Sequence, residues 1–394
     1  MKLDAARLRR RRGMQRLLAA LGGDEGLTRY VGGVVRDELL GLPVSDIDLA
    51  TRLMPDDVVR RLEAAGIKAI PTGIDHGTVT AVSDRQPVEI TSLRRDVTTD
   101  GRRATIAYTD DWQEDAARRD FTINALMADP LSGEIHDYFG GIADLKQRRI
   151  RFIGEPLARI AEDHLRILRF FRFHARFGAG PPDSAALDAC ASRANDLMAL
   201  SRERIADELI KLLSVEDPGE TVEVMIGNAI LRPVVPEIGG PGLDRLRALI
   251  VAEQQAGMAI DPLRRLSALL PADPAIAEKV ASRLKLSNKA KKRLASAADP
   301  DLGPSPRALA YRLGVQGAVD RLLIAGRTSD AAAIADWQVP RLPIGGGALI
   351  ERGLPQGPIV ARTLRLLEDR WIAAGFPTGP DFERLLDEAL EASR

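Results

Sequence analysis

YVGGVVRDELLGLPVSDIDLAT, residues 30–51, is the stretch from which the rest of the chain is read. A short apolar run ends at Gly32-Gly33, and a helix pattern follows over 34–40. Glycines let a phosphate approach backbone N–H groups at a helix start. Arg36 lies one turn in, within reach of the same anion. Asp46 and Asp48 are separated by one residue, in a segment (46–49) that reads as a strand. Alternate side chains of a strand share a face, so the two carboxylates can share divalent cations. Hard oxygen ligands suit Mg²⁺, which also recruits substrate phosphates. A D-x-D pair alone reads as a surface turn or helix cap, and Gly-Gly alone as a turn. Their order, with strand, glycines, helix, loop and acidic strand, describes a phosphate cradle facing a metal pair. That is the geometry of phosphoryl or nucleotidyl transfer.

Working outward, short β-branched runs recur at 28–31, 46–49, 77–82, 87–91, 122–127 and 134–136. Gly, Pro or Asp punctuate them, as strands require. Helix patterns sit between, at 34–40 and 55–65. From residue 145 onward the periodicity is helical: 155–177, 184–213, 219–229, 241–256, 263–270, 275–296, 305–324, 329–336, 357–373 and 380–391. The predicted fold class is therefore α+β, a small mixed sheet followed by an all-helical remainder. Residues 94–111 are polar and turn-rich, and predict a loop near the active site.

Composition narrows the classes. The 394 residues suffice for two to three domains, and 45% hydrophobic with 28% charged residues is globular. Lys plus Arg (56) balances Asp plus Glu (56), so a nucleic-acid site has to be a local patch. A single cysteine, Cys190, excludes a disulfide scaffold or a cysteine cluster for metal and fits a reducing cytoplasm. No run of 18 apolar residues predicts a membrane span. The basic start, MKLDAARLRRRRGMQ, lacks the apolar region of a secretory signal. It reads as a solvated helix start, with a phosphate-backbone contact as the second reading.

The pattern G-G-x-V-R-D-x-L-L-G-x-x-x-x-D-x-D-L-A-T at 32–51 resembles the signature of nucleotidyltransferases acting on RNA 3′ ends. These are the class II tRNA CCA-adding enzymes and the related bacterial poly(A) polymerases. The resemblance implies a polymerase β-like head (1–145), a neck that recognises the base (146–215), a body (216–300) and an RNA-binding tail (301–394). It covers 31–173 closely. Glu89, in Val88-Glu89-Ile90-Thr91 after His76-Gly77-Thr78-Val79-Thr80, matches the family's third carboxylate by position. Asp46, Asp48 and Glu89 are thereby the implied catalytic residues, with Asp46 and Asp48 holding Mg²⁺. Residues 118–126, RRDFTINAL, match the family's R-R-D-F-T-x-N-A-L. This implies that Arg119 clamps the triphosphate and Asp120 accepts a ribose hydroxyl; Asn124 reads as local support. Residues 137–145, DYFGGIADL, read as the turn leaving the head.

Residues 154–173, GEPLARIAEDHLRILRFFRF, predict one amphipathic helix at about 100° per residue. Arg159, Glu162, Asp163, Arg166, Arg169, Arg172 and Arg176 fall on one half of it. The block resembles the family's E-D-x-x-R motif, in which side chains stand in for a nucleic-acid template. Asp163 would accept from an exocyclic amino group and Arg166 donate to a ring acceptor. Such a pair takes C and A and rejects U and G. Arg169 and Arg172 would contact phosphates or brace the pair. The resemblance also implies a helical cradle for the tRNA elbow and acceptor stem. Lys285, Lys289, Lys291, Lys292 and Arg293 are its candidate RNA patch, with a solvated helix face as the alternative. Near the C-terminus, residues 342–358 look like a recurrent segment of these enzymes, but Gly347 and Ala348 replace its polar part.

The expected function is template-independent addition of the 3′ CCA of tRNA from CTP and ATP. The alternatives are 3′ poly(A) addition and a catalytically silent RNA-binding protein. No obligate protein partner is predicted. A dinucleotide-binding oxidoreductase is disfavoured, because Gly32-Gly33 does not supply G-x-G-x-x-G.

Overall fold

The computed structural model describes residues 2–99 and 104–393. The chain forms two compact units, Met1–Val234 and Val235–Arg394. The expected boundaries at 145 and 215 fall inside the first unit, and that at 300 inside the second.

The first unit is built on a seven-stranded sheet in the order β3-β4-β5-β2-β1-β8-β9. Its strands are β1 (Thr28–Val31), β2 (Asp48–Thr51), β3 (Lys68–Gly73), β4 (Thr78–Ser83) and β5 (Gln86–Ser92). A separate hairpin, β6 (Arg94–Thr99) with β7 (Ala104–Tyr108), precedes β8 (Met127–Ala128) and β9 (Ile135–His136). Alternation sets the faces: Val79 and Ala81 of β4, and Val88 and Ile90 of β5, are buried. β2 pairs with β5 in parallel, and this register puts Asp48 beside Glu89. The other pairings in the sheet are antiparallel.

Several predicted elements shift. The strand expected at 46–49 begins at Asp48, so Asp46 stands in the loop before it. The 122–127 run is a 3₁₀ turn at Thr122–Asn124 followed by the two-residue β8. The loop expected at 94–111 is largely the β6–β7 hairpin, and its residues 100–103 lie outside the described residues. β3 has no counterpart in the sequence reading.

The single helix expected over 155–177 is two helices, Pro156–Glu162 and Arg166–Phe177. Asp163 between them is extended (φ −152°, ψ 106°), and its Oδ1 accepts the Leu165 N–H at 3.1 Å. An aspartate side chain competing for a backbone N–H is a standard way to end one helix and start another. The second helix packs on the head through Phe121, Phe152, Phe170 and Phe173. The Phe121 ring centroid lies 5.0 Å from Phe152 and 5.2 Å from Phe173. Burying each such ring contributes about 1.5–3 kcal/mol. Cys190 is fully buried, and burial pushes its thiol pKa up, so it is an inert core residue.

The second unit is helical throughout. One core joins Leu249 of helix Gly240–Gln255 to Leu309, Leu322 and Leu323 of helix Pro306–Ile324. A second core gathers Leu349, Leu367, Trp371, Phe382 and Leu386. The helix expected at 275–296 breaks into Pro274–Arg283 and Asn288–Ala297, with Lys285 in a left-handed turn (φ 53°). Among the described residues no helix is long and apolar enough to cross a membrane.

Candidate active site

An open cleft of about 570 Å³ in the first unit gathers residues from four parts of the sequence. Gly32, Gly33 and Asp48 come from the sheet region, and Arg118, Arg119 and Asp120 from the segment after the hairpin. Asp163, Arg166 and Arg169 come from the two helices beyond, and Arg204 from helix Arg202–Leu213.

Gly32 is required twice over. Its φ of 67° disfavours a side chain, and a Cβ there would stand 3.2 Å from Arg119 Nη1. Helix Gly33–Leu39 follows and carries Arg36. That side chain lines the cleft but is buried and engaged. Its Nε donates to Asp37 at 2.8 Å, its Nη1 donates to Asn124 Oδ1 at 2.5 Å, and its guanidinium lies 4.1 Å over the Phe177 ring. Its Nη2 also lies 2.7 Å from Asp37, so the expected anion ligand is tied into the wall of the site with one N–H left on each Nη.

Asp48 opens β2, Glu89 sits beside it on β5, and Asp46 precedes it in the loop, accepting from Ser45 Oγ at 2.9 Å. Asp48 still meets solvent, yet its carboxyl pKa is raised. Desolvation in the cleft is the main cause, then the neighbouring Glu89; Asp46 adds to this and Arg119 opposes it. Such accumulated negative charge is what a divalent cation relieves. Among the described residues, no three His, Cys, Asp or Glu side chains converge as a ready-made metal cage. Asp48, with Asp46 before it in the loop but outside the cleft lining, could share a cation with phosphate oxygens and water, the habit of Mg²⁺ sites. Glu89 does not line the cleft itself.

Opposite stands a wall of arginines. Buried Asp115 accepts from Arg118 Nε (2.8 Å) and Nη2 (2.7 Å) and from Arg119 Nη2 (3.1 Å). Burial alone would raise the Asp115 carboxyl, but Arg119 and Arg118 outweigh it and hold its pKa below the usual range. Asp120 was expected to offer an acceptor to ribose, but both its oxygens are engaged. Oδ1 accepts from the Phe121 N–H (2.8 Å) and Asn124 Nδ2 (2.9 Å), and Oδ2 from Arg169 Nε (2.8 Å). Asp120 is a positioning residue that ties Arg169 to the head. Burial opposes ionisation here, yet Arg169 and Asn124 bring the Asp120 pKa down to about 2.

A carboxyl whose folded pKa lies below its unfolded one stabilises the fold above the unfolded value. That stability is lost as pH falls through the folded value. Asp120 therefore contributes about 2 kcal/mol above pH ~5, lost progressively towards pH ~2. Acid unfolding followed by circular dichroism is expected to show this slope in the wild type and a shallower one in Asp120→Asn.

The block at 154–173 has a different wiring from the expected one. Asp163 Oδ2 accepts from Arg204 Nη2 at 2.7 Å. Arg166 bonds Glu162 Oε2 (2.5 Å), the Arg159 carbonyl (3.0 Å) and the Arg118 carbonyl (3.1 Å). A guanidinium has five N–H groups, so Nε–H and one Nη2–H of Arg166 remain. Arg169 braces Asp120. Arg172 lies outside the cleft lining, its Nε bonded to buried Glu208 at 2.6 Å. Asp115, Arg204 and Glu208 were missed in the sequence. Only Asp115 carried a local signal, three and four residues before Arg118 and Arg119; Arg204 and Glu208 meet Asp163 and Arg172 from 41 and 36 residues away.

In the second unit, Lys289 and Lys292 are exposed on helix Asn288–Ala297, and Lys285 in the turn before it. Lys291 lies 3.4 Å from Glu278. Arg293 departs from the expected RNA patch. It is paired inward with Asp261 (2.5 Å) and Asp320 (2.7 Å), because a fully buried aspartate needs a cation.

A strand-borne carboxylate sharing a cleft with several arginines suits the chemistry of a nucleotidyltransferase head. Residues 28–151 match the family described as the poly A polymerase head domain. Residues 182–239 match one described as a probable RNA- and SrmB-binding site of polymerase A. The mitochondrial CCA tRNA nucleotidyltransferase 1 of Mus musculus is 33% identical over 395 residues, spanning 92% of this chain and 87% of that protein. The CCA-adding enzyme of Latilactobacillus sakei is 31% identical over 371 residues, spanning 88% and 90%. The chain belongs to the CCA tRNA nucleotidyltransferase family. Two solved structures share its fold. The Bacillus stearothermophilus CCA-adding enzyme in complex with CTP has a TM-score of 0.75 at 24% identity, covering 96% of this chain and 98% of its own. The Thermotoga maritima CCA-adding enzyme complexed with tRNA has a TM-score of 0.72 at 21% identity, covering 100% of both chains.

Proposed function

We propose that the protein builds or repairs the 3′-terminal CCA of tRNA from CTP and ATP, with the base chosen by its own side chains. The observation that carries this is the presence of Asp48, Arg119, Asp163 and Arg166 in one cleft. The tRNA 3′ hydroxyl attacks the α-phosphorus of the nucleotide, a new phosphodiester forms, and diphosphate leaves. Asp46 and Asp48 would hold Mg²⁺, which on the two-metal pattern activates the hydroxyl and neutralises the triphosphate when bound. Arg119 balances the charge of the leaving diphosphate. Its rigid fork suits phosphate oxygens better than a lysine would. Glu89 adds negative charge beside Asp48 and so favours cation capture.

Asp163 supplies an acceptor for the exocyclic amino group of cytosine or adenine. Arg204 donates to the Asp163 Oδ2 at 2.7 Å and fixes its position, and the two spare N–H groups of Arg166 serve the ring acceptor. Uracil and guanine present a carbonyl to Asp163 and are rejected. Lys285, Lys289, Lys291 and Lys292 suit contacts to an acceptor stem or elbow, since duplex RNA is held chiefly through phosphates and 2′-hydroxyls. The single cysteine suits a reducing compartment, and we read its place of work as the cytoplasm.

The test supplies tRNAs ending before CCA, after C and after CC with each NTP singly and together, at single-nucleotide resolution. Addition of C, C and A followed by a stop is expected. Long A tails on RNAs of unrelated shape would reassign the protein as a poly(A) polymerase, and no addition with tRNA still bound would make it a silent binder. In the same assay Asp163→Ala is expected to lower discrimination against UTP and GTP by about 10- to 100-fold, with tRNA affinity little changed. An unaltered incorporation profile would refute the role of Asp163 in base choice.

A further inference from the structure

Arg94, the first residue of β6, is a guanidinium that the roles above leave unexplained. It lines the cleft with Asp48, Arg118 and Arg119. Its backbone N–H donates to Asp115 Oδ1 at 3.3 Å, and its Nη1 donates to the His76 carbonyl, so both ends of the residue are tethered. Its Nε is buried without a hydrogen-bond partner, and so is Nε of Arg119. Buried N–H groups left unpaired are rare and unfavourable. Two in the lining of one cleft point to a missing acceptor.

The charges agree. Asp115 is shared between Arg118 and Arg119, and Arg94 has no carboxylate partner among the described residues. The Arg118 pKa is lowered to about 10, by burial first, with Asp115 opposing and the neighbouring Arg119 and Arg94 adding to the fall. Asp115 is the acid between these three cations; of the acids lining the cleft, Asp120 and Asp163 are paired with Arg169 and Arg204, and Asp48 is the one that Arg119 feels. That leaves room for a multiply charged anion that has several acceptor oxygens.

We infer that Arg94 is a phosphate-binding residue of this cleft, holding phosphate oxygens together with Arg119. The inference rests on the reading of the cleft as a nucleotide site. The phosphate can belong to the triphosphate of the incoming nucleotide or to the terminal nucleotide of the RNA.

The experiment compares full-length wild type, Arg94→Gln, Arg94→Lys and Arg119→Gln. It measures calorimetric binding of inorganic tripolyphosphate, KM and kcat for CTP and ATP, KM for tRNA lacking CCA, and thermal midpoints. Removing one charge-assisted donor is expected to weaken tripolyphosphate binding about tenfold or more. KM for both nucleotides should rise similarly, kcat should stay within about twofold, and Arg94→Lys should recover part of the loss. Tripolyphosphate binding unchanged with a tenfold rise in KM for tRNA would keep Arg94 on phosphate and assign that phosphate to the RNA. All parameters unchanged in Arg94→Gln would overturn the inference. So would equal losses in Gln and Lys variants that also melt early, the mark of a purely structural residue. A folded wild type that binds neither tripolyphosphate nor nucleotide would instead sink the reading of the cleft itself.

Discussion

Asp48→Asn is expected to lower nucleotidyl transfer by about a thousandfold or more, while tRNA affinity changes less than about twofold. The substitution keeps the shape and removes one charge. Asp48 is the carboxylate of the trio that lines the cleft, and desolvation first, then Glu89 and Asp46, push its pKa up. A carboxyl whose folded pKa is raised destabilises the fold at neutral pH, so the amide should melt no earlier than the wild type. That separates chemistry from folding. Single-turnover extension of a tRNA ending in CC, beside a thermal melt, checks both. Turnover within tenfold of wild type would remove Asp48 from the catalytic machinery.

Asp320→Ala is expected to destabilise the second unit by about 3–5 kcal/mol. Asp320 is fully buried and accepts from Arg264 Nε (2.9 Å) and from Arg293 Nε (2.7 Å) and Nη2 (3.0 Å). Arg264 also donates to Glu253 at 2.7 Å, and Arg265 donates to the same carboxylate at 2.9 Å. Removing Asp320 leaves buried Arg264 short of a counter-charge in a core that cannot hydrate it, and leaves the partly exposed Arg293 with Asp261 alone. Urea unfolding followed by the fluorescence of Trp337 and Trp371 should show it. Lys289→Ala and Lys292→Ala, at exposed positions, should stay within about 0.5 kcal/mol of wild type. A loss below about 1 kcal/mol for Asp320→Ala would mean that the remaining acids suffice.

These two sites also mark what the sequence could reveal. Asp48 and Gly32 were legible because their places depend on local pattern, the head of a strand and a glycine before a helix, whereas Arg119 was legible only through the resemblance of RRDFTINAL to a known motif. The carboxylate register was half legible. Glu89 matched by motif, but only the parallel β2–β5 pairing puts it beside Asp48. The partners of the charged residues were not legible. Arg204 reaches Asp163 from 41 residues away, and Arg169 reaches Asp120 from 49. Periodicity carries no information about which charges meet. It also overlooked the break at Asp163, since a charged residue on a solvated helix face and one that ends the helix look alike in a 100° projection. Arg293 failed for the mirror reason. In a lysine-rich helix it reads as surface, whereas Asp261 and Asp320 draw it inward. The β6–β7 hairpin was hidden by its polar, turn-rich composition.

The parallel pairing of Asp48 with Glu89 sets their separation by the inter-strand spacing of a hydrogen-bonded sheet, about 4.8 Å, rather than by how side chains happen to pack. Core substitutions beneath the sheet can accumulate without moving that distance. A slip of β5 by one residue, in contrast, would turn Glu89 to the opposite face. The two acids are thus tolerant of sequence drift in the core and intolerant of an insertion or deletion within either strand.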